Sequence, residues 1–352
     1  MTTILDILEK AVAEGASDVF IVTGLSLSYR KNGVIVLKEG EKLMPPDTEK
    51  LVQEIYELAD NRNISRVMET GDDDFSFAVP KLSRFRVSAY KQRGTLSAVI
   101  RVITFKMPDP NELGIPQTII NFGQLSKGMV LVTGSAGSGK STTLACMIDS
   151  INRTRSTHII TLEDPIEYLH RHNKSIVSQR EIDVDTESYV TALRAALRQS
   201  PDVILLGEMR DYETISVAMT AAETGHLLFS TLHTIGAANT INRIMDVFPA
   251  EQQHQIAVQL ATVLDAVVSQ QLVPTVDGQV VPAFEIMVMT PAIRNMIREN
   301  KVYQIDGFIH SSGSSMVAMD TSLQRLYKEG RITKETAIEF ASNPDMLSKR
   351  LM

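Results

Sequence analysis

The run Gly134-Ser135-Ala136-Gly137-Ser138-Gly139-Lys140-Ser141 fits the pattern G-x-x-x-x-G-K-[ST] and constrains this chain more than any other feature. Gly134, Gly137 and Gly139 let the backbone turn tightly, so that its N–H groups converge on phosphate oxygens. Lys140 would reach the β- and γ-phosphates, and the Ser141 hydroxyl would ligate Mg²⁺. A helix that starts near Lys140 and runs on through Ser141 and Thr142 would aim its positive end at the same anion. The flanks agree with this. Residues 129–133 are a short apolar run suited to a buried parallel strand, and residues 141–148 read as a helix. Such a loop implies a nucleoside triphosphate and says nothing of what its hydrolysis drives.

Composition bounds the rest. A chain of 352 residues is long enough for two or three domains. Its net charge of −7 argues against a broad nucleic-acid-binding surface, so no nucleic-acid partner is expected. Cys146 is the only cysteine, which removes disulfides within the chain and cysteine-based zinc sites and fits a reducing compartment. The N-terminal residues lack the pattern of a signal peptide, and no apolar run approaches the ~20 residues that span a bilayer. A cytoplasmic protein that meets the membrane only through a partner is expected.

Residues 1–104 are expected to form a small α/β domain. Ile4, Leu5, Ile7, Leu8, Ala11 and Val12 make a helical stripe that ends at Gly15. A strand over 18–23, a hairpin over 28–37 turning at Asn32-Gly33, a helix over 48–59 and antiparallel strands over 84–90 and 95–103 follow. Pro108, Pro110 and Pro116 mark a linker over 105–118. In residues 119–352, strand candidates at 128–133, 158–162, 202–206 and 226–232 alternate with helical stretches, the pattern of a parallel sheet wrapped by helices. From about 265 to 352 the pattern reads as mainly helical. A Ser/Gly-rich loop lies at 310–315, helices lie around 322–328 and 334–341, and Asp320 or Thr321 and then Thr333 are the expected N-caps.

Further chemistry gathers near strand ends. Glu208 follows the strand 202–206, where a phosphate-loop sheet keeps its Mg²⁺-associated acid; a solvated strand-end acid is the competing reading. Residues 161–167 set Glu163, Asp164 and Glu167 after another apolar strand. Open α/β sheets bind ligands at such ends, which makes Glu163 the candidate to orient the water that attacks the γ-phosphate, against a plain helix-start acid cluster. His226 and His233 flank a strand at a spacing of seven, so at period two they point to opposite faces and do not form a metal pair. His233 is suited to sense the γ-phosphate, whereas His226 is equally well read as structural. Arg84 and Arg86 share a strand face opposite Phe85, Val87 and Ala89, and Arg101 lies on the next strand. The residues alone favour a solvated sheet face over arginine fingers that reach a nucleotide across an interface.

The phosphate loop, the acidic box 161–168, the strand-end box 202–211 and the histidine box 225–233 stand in the order found in the type II/IV secretion ATPases, and the chain resembles that superfamily over essentially its whole length. Ala292, Ile293, Arg294, Asn295, Met296, Ile297, Arg298 and Glu299 resemble the signature of its pilus-retraction branch, and residues 178–181 and 268–272 look like that branch too. The resemblance implies a PAS-like N-terminal domain, then a RecA-like phosphate-loop ATPase domain with a parallel sheet and a helical C-terminal extension. It implies ATP and Mg²⁺, with Ser141 and Glu208 beside the metal, catalytic roles for Glu163 and Glu208, and His233 near the γ-phosphate. Arg86 and Arg101 match the strand arginines that reach the nucleotide, and the working form implied is a homohexamer. The implied task is type IV pilus retraction in twitching motility, through an inner-membrane platform protein at the inner face of the cytoplasmic membrane, alongside an assembly ATPase or an accessory paralogue. Two alternatives stay open: an assembly or type II secretion ATPase, whose four-cysteine zinc module this chain cannot build, and a weakly hydrolysing accessory subunit. Ser135-Ala136 in place of Pro-Thr, Phe20 in place of histidine and Ala257 in place of a frequent arginine depart from the pattern. In residues 292–299, Ile293, Met296 and Ile297 are expected to face inward and Arg294, Arg298 and Glu299 outward.

Overall fold

The computed structural model describes residues 3–31, 33–103, 107–313 and 316–351. Asn32 of the expected hairpin turn, residues 104–106 at the expected domain boundary and residues 314–315 of the Ser/Gly-rich loop lie outside them. The chain divides into two compact units, Met1–Lys106 with Glu167–Leu169, and Met107–Ile166 with His170–Met352.

The first unit contains α1 (Ile4–Ala13), β1 (Asp18–Ile21), β2 (Ser28–Lys31), β3 (Val34–Leu37), α2 (Pro45–Leu58), α3 (Ser65–Thr70), β4 (Asp72–Val79), β5 (Ser83–Gln92) and β6 (Thr95–Ile103). Thr3 opens α1 with a capping box: its hydroxyl accepts from Asp6 N–H and the Asp6 carboxylate accepts from Thr3 N–H. Among the described residues the strands form one antiparallel sheet, β3-β2-β1-β6-β5-β4, with β1 and β6 adjacent at its centre. Ile7, Leu8, Val52 and Ile55 of the helices pack on Phe85, Val87, Ala98 and Ile100. Strand β4 is not legible from its Asp72-Asp73-Asp74 start. Asp73 nevertheless points inward, because Arg62 binds both its carboxylate oxygens at 3.0 and 3.1 Å and Tyr56 donates to it at 3.0 Å.

The second unit begins with α4 (Gln117–Asn121), β7 (Gly128–Thr133), α5 (Lys140–Thr154), β8 (His158–Glu163), β9 (Ile176–Glu181) and α6 (Tyr189–Ala196). It continues with β10 (Val203–Leu206), α7 (Tyr212–Glu223), β11 (Leu227–Leu232), α8 (Ala237–Asp246), α9 (Ala250–Val263), β12 (Leu264–Pro274) and β13 (Val280–Val288). Among the described residues the α-helices α10 (Pro291–Arg298), α11 (Ile305–Ser311), α12 (Met319–Lys328), α13 (Lys334–Glu339) and α14 (Pro344–Arg350) follow. The sheet order is β13-β12-β7-β11-β10-β8-β9, parallel throughout except for the antiparallel edge strand β13. Met129, Leu131, Ile204 and Leu228 face one apolar layer, while Val130, Val132, Val203 and Phe229 face the other. Burial on both faces is why these strands read as near-continuous apolar runs. Leu232 lies opposite Thr133, and Leu206 lies opposite both Ser230 and Leu162, so β7, β11, β10 and β8 finish at one edge.

Three expectations are corrected. Residues 265–352 are not helical from their start, because β12 and β13 occupy 264–288 and helices follow only from α10. A buried apolar strand shows no period by which to tell it from a helix; the usable signal is Asp277-Gly278, in the turn between the two strands. Neither Asp320 nor Thr321 caps α12. Its N-cap is Ala318, and Asp320 is buried in the first turn, where its carboxylate accepts from Ser342 and Asn343 N–H. His310 and Ser311 end α11 rather than begin a loop. Thr333 caps α13 as expected. Among the described residues no helix is long and apolar enough to cross a membrane.

Candidate active site

The phosphate loop joins β7 to α5, and its shape admits glycine alone at two points. Gly134 has φ 145° and Gly139 φ 86°. A Cβ on Gly134 would stand 2.2 Å from the Gln270 carbonyl oxygen and 2.6 Å from Ser138 Oγ; one on Gly139 would stand 2.8 Å from Gln270 Nε2. Lys140 is buried at the first position of α5 and donates to the Gly134 and Ser135 carbonyls at 2.9 and 2.8 Å, closing the loop on itself. Ser135, Ala136, Gly137 and Ser141 are exposed. A glycine turn at the positive end of a 15-residue helix, with an ammonium inside it, is a cradle that fits a polyphosphate.

The other strand ends bring the acids to the same edge. Glu163 ends β8, and its Oε1 accepts from Thr161 Oγ1 at 2.6 Å and from Gln179 Nε2 at 3.2 Å. Glu208 follows β10. Its Oε1 meets Arg210 Nη2 at 2.6 Å, and its Oε2 lies 3.3 Å from His233 Nε2, at the end of β11. Thr231 Oγ1 donates to the Gly207 carbonyl at 2.6 Å, which ties the two strand ends together. Glu208, Arg210, His233, Thr234 and Arg243 line a cleft of about 380 Å³. His226 instead follows α7, with Nδ1 2.9 Å from the Ala221 carbonyl.

Sequence reasoning missed three residues of this neighbourhood. Gln270, buried in β12, accepts from Thr143 Oγ1 at 2.7 Å and lies against the phosphate loop. Tyr189 sets its hydroxyl over Gly207, 2.6 Å from where a Cβ would stand. Burial and then the charges of Glu208, Asp164 and Glu163 push that phenol far above its ordinary range, so it stays neutral. Gln179 is the third. The available signal for Gln270 and Gln179 was their place in residues 268–272 and 178–181, which resemble the retraction branch without giving either residue a role.

Arg86 and Arg101 belong to the first unit and face each other across β5 and β6. Arg101 Nε donates to Asp18 Oδ1 at 3.1 Å, and Arg30 approaches the same carboxylate at 3.8 Å. In α10, capped by the Thr290 hydroxyl, Ile293 and Ile297 are fully buried and Met296 is half-buried, as expected. Arg294 does not face outward. It donates to the Ala261 and Thr262 carbonyls at the end of α9, which lack helical partners, and lies 3.4 Å from Asp265 Oδ1. Arg298 and Glu299 are exposed. Ala257 is buried in the core.

Residues 1–307 match the family described as Type II/IV secretion system protein. The sequence is 44% identical to a Pseudomonas aeruginosa protein named type IV pilus retractation ATPase PilT, over 97% of this chain and 99% of that one. It is 49% identical to a Neisseria gonorrhoeae twitching motility protein, over 78% of this chain and 74% of that one. The backbone is similar to a crystal structure of the pilus retraction motor PilT with bound ADP, with a TM-score of 0.91 and 44% identity over 99% of this chain and 100% of that one.

Proposed function

The chain belongs to the type II/IV secretion system protein family, and from that premise we propose that it is an ATP-hydrolysing motor of type IV pilus retraction. The observation that carries this reading is the likeness to a retraction ATPase over 97% of the chain. The loop chemistry supports it. ATP would lie with its phosphates in the turn 134–141, where backbone N–H groups and the start of α5 receive the charge. Lys140 would exchange its carbonyl partners for phosphate oxygens, which are stronger acceptors. Mg²⁺, when bound, would neutralise charge on the β- and γ-phosphates. Ser141 and Glu208 are donors that fit it, and since no group of three or more His, Cys, Asp or Glu gathers among the described residues, its remaining ligands would be phosphate and water.

Glu163 orients the attacking water as general base, and Glu208, braced by Arg210 and His233, acts beside the metal. The motor works as a homohexamer at the cytoplasmic face of the membrane, on an inner-membrane platform protein. Arg86 and Arg101 are the arginines that would meet a nucleotide. Arg101 holds Asp18 through Nε and keeps its other guanidinium N–H groups for such a contact. Purified protein should turn over ATP many times, and Glu163→Gln should lower kcat by about 10²-fold or more. A wild-type rate in Glu163→Gln contradicts the role of Glu163. A wild-type protein that binds ATP without multiple turnover is the accessory subunit instead.

A further inference from the structure

Strands β8 and β9 run parallel, with Thr161 opposite Gln179 and Glu163 opposite Glu181. Thr161 and Gln179 therefore approach Glu163 from neighbouring strands, and both donate to the same oxygen, Oε1. The far side of the Gln179 amide is also engaged: its Oε1 accepts from His170 N–H at 2.8 Å. That bond fixes which way the amide points. A backbone N–H only donates, so Gln179 turns its oxygen to His170 and its NH₂ to Glu163. The side chain thus spans the loop that leaves β8 after Glu163 and returns as β9, tying it at one end to the backbone and at the other to the acid.

We propose that Gln179 is a positioning residue for ATP hydrolysis, whose amide holds the Glu163 carboxylate in the orientation that the reacting water requires. This rests on the reading of Glu163 as the water-orienting acid. Glutamine is the residue type the geometry requires. A glutamate would keep an acceptor for His170 but set an oxygen against the Glu163 carboxylate, and leucine or methionine would offer neither group. Gln179 touches no reacting atom in this scheme, so its effect passes entirely through Glu163.

The test is steady-state ATP hydrolysis by the full-length chain, with thermal melting in parallel, for wild type, Gln179→Glu, Gln179→Met, Glu163→Gln and the double variant Glu163→Gln/Gln179→Glu. Gln179→Glu should lower kcat roughly ten- to a hundredfold, the range for a hydrogen bond to a charged group, with KM for ATP and the melting temperature close to wild type. It should cost little more in the Glu163→Gln background, because the group it acts through is already gone. Gln179→Met should reproduce the kcat loss and keeps the test open should Gln179→Glu fold poorly. Wild-type kcat in both Gln179 variants overturns the proposal. So does a kcat loss that tracks a fall in melting temperature in both, or one that multiplies fully with Glu163→Gln. Wild type without turnover, or fully active Glu163→Gln, marks failure of the underlying reading and removes the proposal with it.

Discussion

The phosphate loop and α10 carry the two sharpest signatures of the sequence, and they hold their cations in opposite ways. Lys140 bonds neutral carbonyls of its own loop, partners that a phosphate oxygen outcompetes. Arg294 bonds two carbonyls at the end of α9 and approaches the Asp265 carboxylate, an arrangement complete without a ligand. One turn further on, Arg298 is exposed. The loop was read from what phosphate chemistry requires, residue by residue. The segment 292–299 was read from resemblance, and a resemblance does not separate residues that hold a helix in place from residues offered to a partner.

Substitutions can break this contrast, and the largest effect belongs to Lys140. Lys140→Ala should lower ATP turnover by at least about a hundredfold, since it removes a preorganised charge at the phosphates; turnover near wild type would end the reading of the loop as the site. Arg294→Ala should cost roughly 1–3 kcal/mol in urea unfolding, because the α9 carbonyls and Asp265 lose their partner. An unchanged unfolding midpoint would return Arg294 to the outward-facing set.

A third ionisable group sharpens the comparison from inside the fold. Burial, and then Asp306 and Asp320, push the Glu285 carboxyl up to about 7, against the N–H groups of Ala237 and Met319 that favour its charge. The folded chain therefore keeps a proton that the unfolded chain releases above its ordinary value near 4.5. The sign follows: this group's contribution is greatest on the acid side and is lost as pH rises from about 4.5 to about 7, by a few kcal/mol at most. Glu285→Gln should flatten that part of the stability profile, and an unchanged slope would mean that Glu285 is not its source. The smallest effect is that of Arg298→Ala, within about 0.5 kcal/mol of wild-type stability. In cells it should impair retraction while ATP turnover stays normal. A stability loss equal to that of Arg294→Ala would erase the difference between the two arginines.

Much of the site was legible because its constraints are local. Glycines at 134 and 139, an apolar strand before them and a helix after them follow from backbone sterics, and Glu163, Glu208 and His233 stand at the ends of short apolar runs that composition marks. What stayed hidden depends on neighbours distant in sequence. Gln270 matters because β12 runs beside β7, Gln179 because β9 runs beside β8, and the orientation of Arg294 is set by the end of α9. Strand β4 was masked by three aspartates, one of them buried only because Arg62 and Tyr56 reach it, and β12 by an apolar run without a period.

The most direct test of the motor reading is a count of surface pili on the native cell, with a chromosomal Lys140→Ala variant set against wild type. Nucleotide-driven disassembly predicts more pili on the variant, together with loss of twitching. Few or no pili would contradict it and mark the chain as an assembly motor.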